Sequence, residues 1–158
     1  MKFKEVNALN AVAEFHHTFG LPVLNQPIIP DEQRTELRVN LLQEEVNELK
    51  EAIENGDLVE VADALADIQY VLSGAILEFG LAEKFQTLFD EVHRSNMSKT
   101  CANEKVAEQT IEHYRQTKKE EGYMEAKEGR FIVHRKGDGK VLKSVEYSPA
   151  DIKGILTT

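Results

Sequence analysis

Residues 58–79 read LVEVADALADIQYVLSGAILEF. Val61, Leu65, Ile68, Leu72 and Ile76 recur at steps of three and four, so the segment reads as a helix. Asp63 and Asp67 lie four residues apart and share one side of it. At 100° per residue, Val61, Leu65, Ile68 and Leu72 fall within about 60° of each other, and so do Glu60, Asp63 and Asp67. The acidic side also carries Ala64, Tyr70, Val71 and Gly74, so it is not a plainly solvated face. From Glu51 to Glu83 there are eight acids and no Lys, Arg or His. Such a segment lacks a cation.

Working outward, Asn55-Gly56 is a C-terminal stop, and the helix before it starts after Asp31, a good N-cap following Pro30. Its apolar stripe is Leu42, Val46, Leu49 and Ile53. Glu44, Glu45 and Glu48 border that stripe. Packed antiparallel through the short turn at Asn55-Gly56-Asp57, the two helices would turn their acids toward each other.

The flanks complete a helical bundle. Phe3, Val6, Leu9, Val12, Phe15 and Phe19 predict a first helix over 3–19, stopped by Gly20 and the loop LPVLNQPIIP. Gly80 precedes a fourth helix with Leu81, Phe85, Leu88, Phe89 and Val92, ending near SNMSK at 95–99. Residues 102–119 predict one more helix. RFIVHRK and KVLKSVEY, flanking Gly137-Asp138-Gly139, predict a small β-hairpin. A helical turn is expected in SPADIKGILTT. The fold class is therefore all-α: about four main helices, then a C-terminal helix and hairpin. Residues 1–99 form the core, and 100–158 an extension of the same domain.

Bulk properties narrow the function. The chain has 158 residues and a net charge of −9, which argues against nucleic-acid binding, since that needs a basic face. No apolar run reaches the ~20 residues of a membrane span. The N-terminus contains acids and does not read as a signal peptide. One cysteine, Cys101, fits a reducing cytoplasm. Residues 1–98 hold 18 acids against 7 Lys and Arg, whereas 99–158 hold 10 against 12.

Clustered carboxylates without imidazole or thiolate are hard ligands, suited to Mg²⁺ or Mn²⁺, and Mg²⁺ commonly works with phosphate substrates. Arg34 and Arg38 read as salt-bridge partners of glutamates. The adjacent His16 and His17 point to different sides and make a poor metal pair. Arg135, Lys136, Lys140 and Lys143 make the hairpin basic.

Glu44-Glu45-Val46-Asn47-Glu48 resembles the EExxE of the all-α nucleoside triphosphate pyrophosphohydrolases, the superfamily of MazG proteins, dimeric dUTPases and phosphoribosyl-ATP pyrophosphohydrolase. ADALADIQYVLSGAILEFGL one helix later adds to the resemblance, as do Asn96 and Lys99 in SNMSK, and DGKVLKSVEYSPAD. The family's second motif is ExxD. Glu60-Val61-Ala62-Asp63 matches it literally, but lies slightly too close to Glu48. If Asp67 is the family aspartate instead, Ala64 stands where the glutamate belongs and Asp63 substitutes from one residue away. The resemblance implies hydrolysis of a nucleoside triphosphate to a monophosphate and pyrophosphate. It implies Mg²⁺ held by Glu44, Glu45, Glu48 and Asp67, with Asp63 in or behind that set. Glu45 or Glu48 would accept the proton of water, Lys99 and Asn96 would bind phosphate, and the assembly would be a homodimer or homotetramer. Two alternatives stand beside this reading. One is a non-catalytic acidic helical module that binds a metal or a basic partner. The other is phosphoribosyl-ATP hydrolysis, which the long tail disfavours.

Overall fold

A computed structural model describes residues 2–157. The helices are α1 (Ala8–Phe19), α2 (Glu32–Asn55), α3 (Leu58–Glu78), α4 (Ala82–Met97), α5 (Glu104–Lys118) and α6 (Ile152–Thr157). Two strands, β1 (Gly122–Lys127) and β2 (Arg130–Arg135), pair antiparallel. The architecture is all-α with one small hairpin. No single helix among the described residues is long and apolar enough to cross a membrane.

The chain divides into two compact units between Gln86 and Thr87, within α4. In the first, α3 packs on both α1 and α2. Local chemistry sets the helix ends. The Asp31 carboxylate accepts from the Arg34 N–H at 3.0 Å and starts α2. Gly56 closes α2 at φ 68°. Asp57 accepts from the N–H groups of Val59 and Glu60 and starts α3. The proline-containing loop docks on the end of α3, where Leu24 and Ile28 donate to the carbonyls of Leu77 and Phe79. A Cβ on Gly80 would collide with the Gln26 carbonyl.

Two expectations fail here. The first helix begins at Ala8, not at residue 3, and Phe3 and Val6 stand about four-fifths exposed. The apolar stripes expected to form the core of α2 and α3 do so only in part: Ile76 is buried and Leu42, Leu49, Val61 and Ile68 are half-buried. Val46 and Ile53 are 48% and 60% exposed, and Leu65 and Leu72 are 52% and 37%. The buried face of α2 instead carries Arg38 and Ala52, and that of α3 carries Ala64, Ser73, Gly74, Ile76, Leu77 and Glu78. Small and charged residues, with Ile76 and Leu77 near the end of α3, make up these buried faces.

Those charges form a network. Glu78, almost fully buried, accepts from the guanidinium groups of Arg34 and Arg38. Nδ1 of His16 lies 2.8 Å from the Pro22 carbonyl, and Nε2 lies 3.4 Å from Arg38. A carbonyl only accepts and a guanidinium only donates, so Nδ1 donates to Pro22 and Nε2 accepts from Arg38. Gly74 leaves the room: a Cβ there would stand 2.6 Å from Nη1 of Arg38 and 3.1 Å from Nε2 of His16. Burial alone would raise the Glu78 pKa, but the two arginines outweigh it and hold the carboxyl below the ordinary glutamate value.

In the second unit, α5 packs on the hairpin around Cys101, Val106, Ala107, Val133 and Leu142. The hairpin lies one turn earlier than expected. Its first strand is Gly122–Lys127, and Glu128 and Gly129, both at positive φ, make the turn. Two consecutive left-handed residues match the twist of a two-residue hairpin loop. KVLKSVEY is not a strand. It doubles back along β2 only far enough for an isolated bridge between His134 and Val141. The Asp151 carboxylate accepts from the Gly154 N–H at the start of α6, as expected for SPADIKGILTT.

Candidate active site

Arg38, Glu45 and Ala52 are spaced by seven, so they lie on one slowly drifting stripe of α2. The outer two are buried, which puts Glu45 on the face turned to α3. Its Oε2 is buried and has no hydrogen-bond partner. The Glu45 pKa is raised, first by burial and then by the negative charges of Asp67, Glu48, Glu44 and Asp63. The other four carboxylates named from the sequence therefore all act on Glu45. Of the two α3 aspartates, Asp67 acts on it more strongly than Asp63. Glu60 is not among these charges. It shares a cavity of about 390 Å³ at the α2–α3 turn with Glu48, Glu51 and Asp57.

Glu44, Glu48, Asp63 and Asp67 are exposed. Among the described residues no three Asp, Glu, His or Cys side chains are arranged to hold a metal ion. The donor chemistry nevertheless fits a hard divalent cation. A buried carboxylate oxygen without a donor is costly, and four further carboxylates bear on it. Arg34 and Arg38 do not supply the missing charge, because both are engaged by Glu78.

Asn96 and Lys99 lie in the second unit and meet each other: Nζ of Lys99 donates to Oδ1 of Asn96 at 2.6 Å. This leaves the Asn96 amide N–H₂ to donate elsewhere. Lys99 also bears on Tyr147, which sequence reasoning passed over. Its one signal was Lys143, four residues earlier, already noted as part of a basic stretch.

The helix pair α2–α3, with four carboxylates acting on Glu45, has the all-α architecture of the nucleoside triphosphate pyrophosphohydrolase superfamily that EExxE resembles. The model of the phosphoribosyl-ATP pyrophosphohydrolase family matches residues 12–96, more than half of the chain, and the chain belongs to that family. Its activity is accordingly of the pyrophosphohydrolase type. The chain is also 26% identical to an uncharacterized protein, L479, of Acanthamoeba polyphaga mimivirus, over 92% of this chain and 94% of that one. The match to the family ends at Asn96, so most of the second unit lies outside it.

Proposed function

We propose that this protein is a Mg²⁺-dependent nucleoside triphosphate pyrophosphohydrolase, yielding a nucleoside monophosphate and pyrophosphate. The observation that carries this reading is the orphaned, buried Oε2 of Glu45 with four carboxylates acting on it. Glu44, Glu45, Glu48 and Asp67 would hold the cation, with Asp63 beside Asp67, and Mn²⁺ would serve in place of Mg²⁺. Such an ion supplies charge neutralisation on phosphate oxygens and lowers the pKa of bound water. Glu45 or Glu48 would take the proton from the attacking water. Asn96 and Lys99 would donate to phosphate oxygens.

A homodimer or homotetramer belongs to the same reading. Val39, Val46 and Ile53 on α2 are exposed at spacings of seven, and so are Leu58, Leu65 and Leu72 on α3. Two heptad-spaced apolar stripes on solvent-facing helix surfaces are the pattern of helices that pack on further helices.

Phosphoribosyl-ATP is the second substrate reading, favoured by the match over residues 12–96. Both substrates break between the α and β phosphates and release pyrophosphate, so one assay covers both. Pyrophosphate release is measured across canonical and modified nucleoside triphosphates and phosphoribosyl-ATP, with Mg²⁺ or Mn²⁺. Turnover of a nucleoside triphosphate, lost in Glu48→Gln, supports the first reading. Turnover of phosphoribosyl-ATP alone supports the second. No turnover of either, with metal binding unaltered in Glu48→Gln, leaves a non-catalytic acidic module.

A further inference from the structure

Residues 143–148 are laced to the turn that ends α4. The Ser144 N–H donates to the Lys99 carbonyl at 3.2 Å, and the Ser148 N–H donates to Oγ of Ser98 at 3.0 Å. From α5, the hydroxyls of Tyr114 and Thr110 accept from the N–H groups of Lys143 and Val145. This lacing fixes Tyr147 beside α4, where Oγ of the buried Ser95 donates to the Tyr147 hydroxyl at 3.1 Å. A phenol that accepts from Ser95 keeps its own proton to donate.

Two lysines bear on that phenol. Nζ of Lys143 stands 4.2 Å from the centre of the Tyr147 ring. Hydrogen bonding from Ser95 lowers the Tyr147 pKa, and the charges of Lys143 and Lys99 lower it further. Among the described residues neither lysine is in an ion pair, whereas nearby arginines are: Arg94 is held by Glu91, and Arg135 by Asp138 and Glu120. The cluster therefore offers two ammonium groups outside any ion pair among the described residues, a phenolic O–H and the amide N–H₂ of Asn96.

We propose that Lys143 and Tyr147 join Lys99 and Asn96 in an oxyanion site for a polyphosphate group. The site takes several adjacent anionic oxygens through point-charge and hydroxyl donors. It deepens the proposed function, since a nucleoside triphosphate carries such a group and pyrophosphate is the group released. It also gives a role to residues beyond the family match.

The test is calorimetric titration of the full chain with inorganic pyrophosphate, in chelator and without divalent metal. The wild type should bind saturably. Lys143→Gln should weaken binding at least tenfold and Tyr147→Phe about threefold, while Lys118→Gln, an exposed lysine at the end of α5, binds as the wild type does. Tyr147→Phe keeps the ring under Lys143 and decides the matter alone if Lys143→Gln does not fold. Absence of binding by the wild type overturns the proposal, as does wild-type affinity in a folded Tyr147→Phe together with any folded Lys143→Gln. A chain that binds pyrophosphate through these residues yet turns over no triphosphate keeps this site and loses the enzymatic reading.

Discussion

Replacing Glu78 by Gln probes the most demanding feature of the first unit. The wild-type carboxylate, almost fully buried, faces two guanidinium groups. Removing one partner of a buried ion pair leaves charge uncompensated and costs about 3–5 kcal/mol. Gln keeps the shape and one accepting oxygen, so we expect about 3 kcal/mol. For a chain of this size 1 kcal/mol corresponds to about 2–4 °C, so the melting temperature should fall by about 6–12 °C. Calorimetry at pH 7 reads this directly. The pH dependence supplies a second check. The fold holds the Glu78 pKa below its unfolded value, so the stabilisation is complete above about pH 4.3 and is lost as pH falls through the lower folded value. The gap between wild type and variant should be constant from pH 7 to 5 and shrink only in more acid solution. A gap under about 1 kcal/mol at pH 7, or one unchanged at pH 3, refutes the network as described.

Other perturbations address different parts of the molecule. Gly80→Ala places a methyl group against the Gln26 carbonyl at a residue of φ 65°; chemical denaturation should show a loss of about 2–4 kcal/mol, from overpacking and left-handed strain together. Leu65→Glu with Leu72→Glu adds charge to an exposed apolar stripe, and sedimentation should show a smaller assembly than the wild type, with helical content retained. Without metal, Glu45→Gln should raise the melting temperature by a few degrees at pH 7. The raised Glu45 pKa means that its ionised form opposes folding, so the cost grows as pH rises through the folded value and vanishes in acid.

Helix ends were legible in the sequence because caps are local chemistry. Asp31, Gly20, Gly56 and Gly80 each act through a few neighbouring backbone groups. The hairpin was misplaced because Gly137-Asp138-Gly139 carries the stronger glycine signal, whereas the pairing turn uses Glu128, a residue that seldom adopts positive φ. The core faces of α2 and α3 were misread for a deeper reason. Hydrophobic periodicity locates large apolar residues, and here Val46, Ile53, Leu65 and Leu72 point to solvent. Of the buried residues, Ile76 lay on the expected stripe, whereas no hydropathy pattern marks Arg38, Ala52, Ala64, Gly74 and Glu78. Arg34 and Arg38 were rightly assigned to a glutamate, but its place 40 residues away on α3 needed the tertiary structure. The acid cluster was legible because a long stretch with no positive charge needs an explanation. The resemblance already set Asp67 ahead of Asp63, and the charges acting on Glu45 fall in the same order.

The central claim is that Glu45 and its neighbouring carboxylates hold a divalent cation. Mn²⁺ titration followed by electron paramagnetic resonance tests it without requiring turnover. The wild type should bind Mn²⁺ saturably, with Mg²⁺ competing; Glu45→Gln and Asp67→Asn should each weaken binding at least tenfold, and Glu60→Gln should leave it within twofold. Wild-type affinity in folded Glu45→Gln and Asp67→Asn would contradict the account.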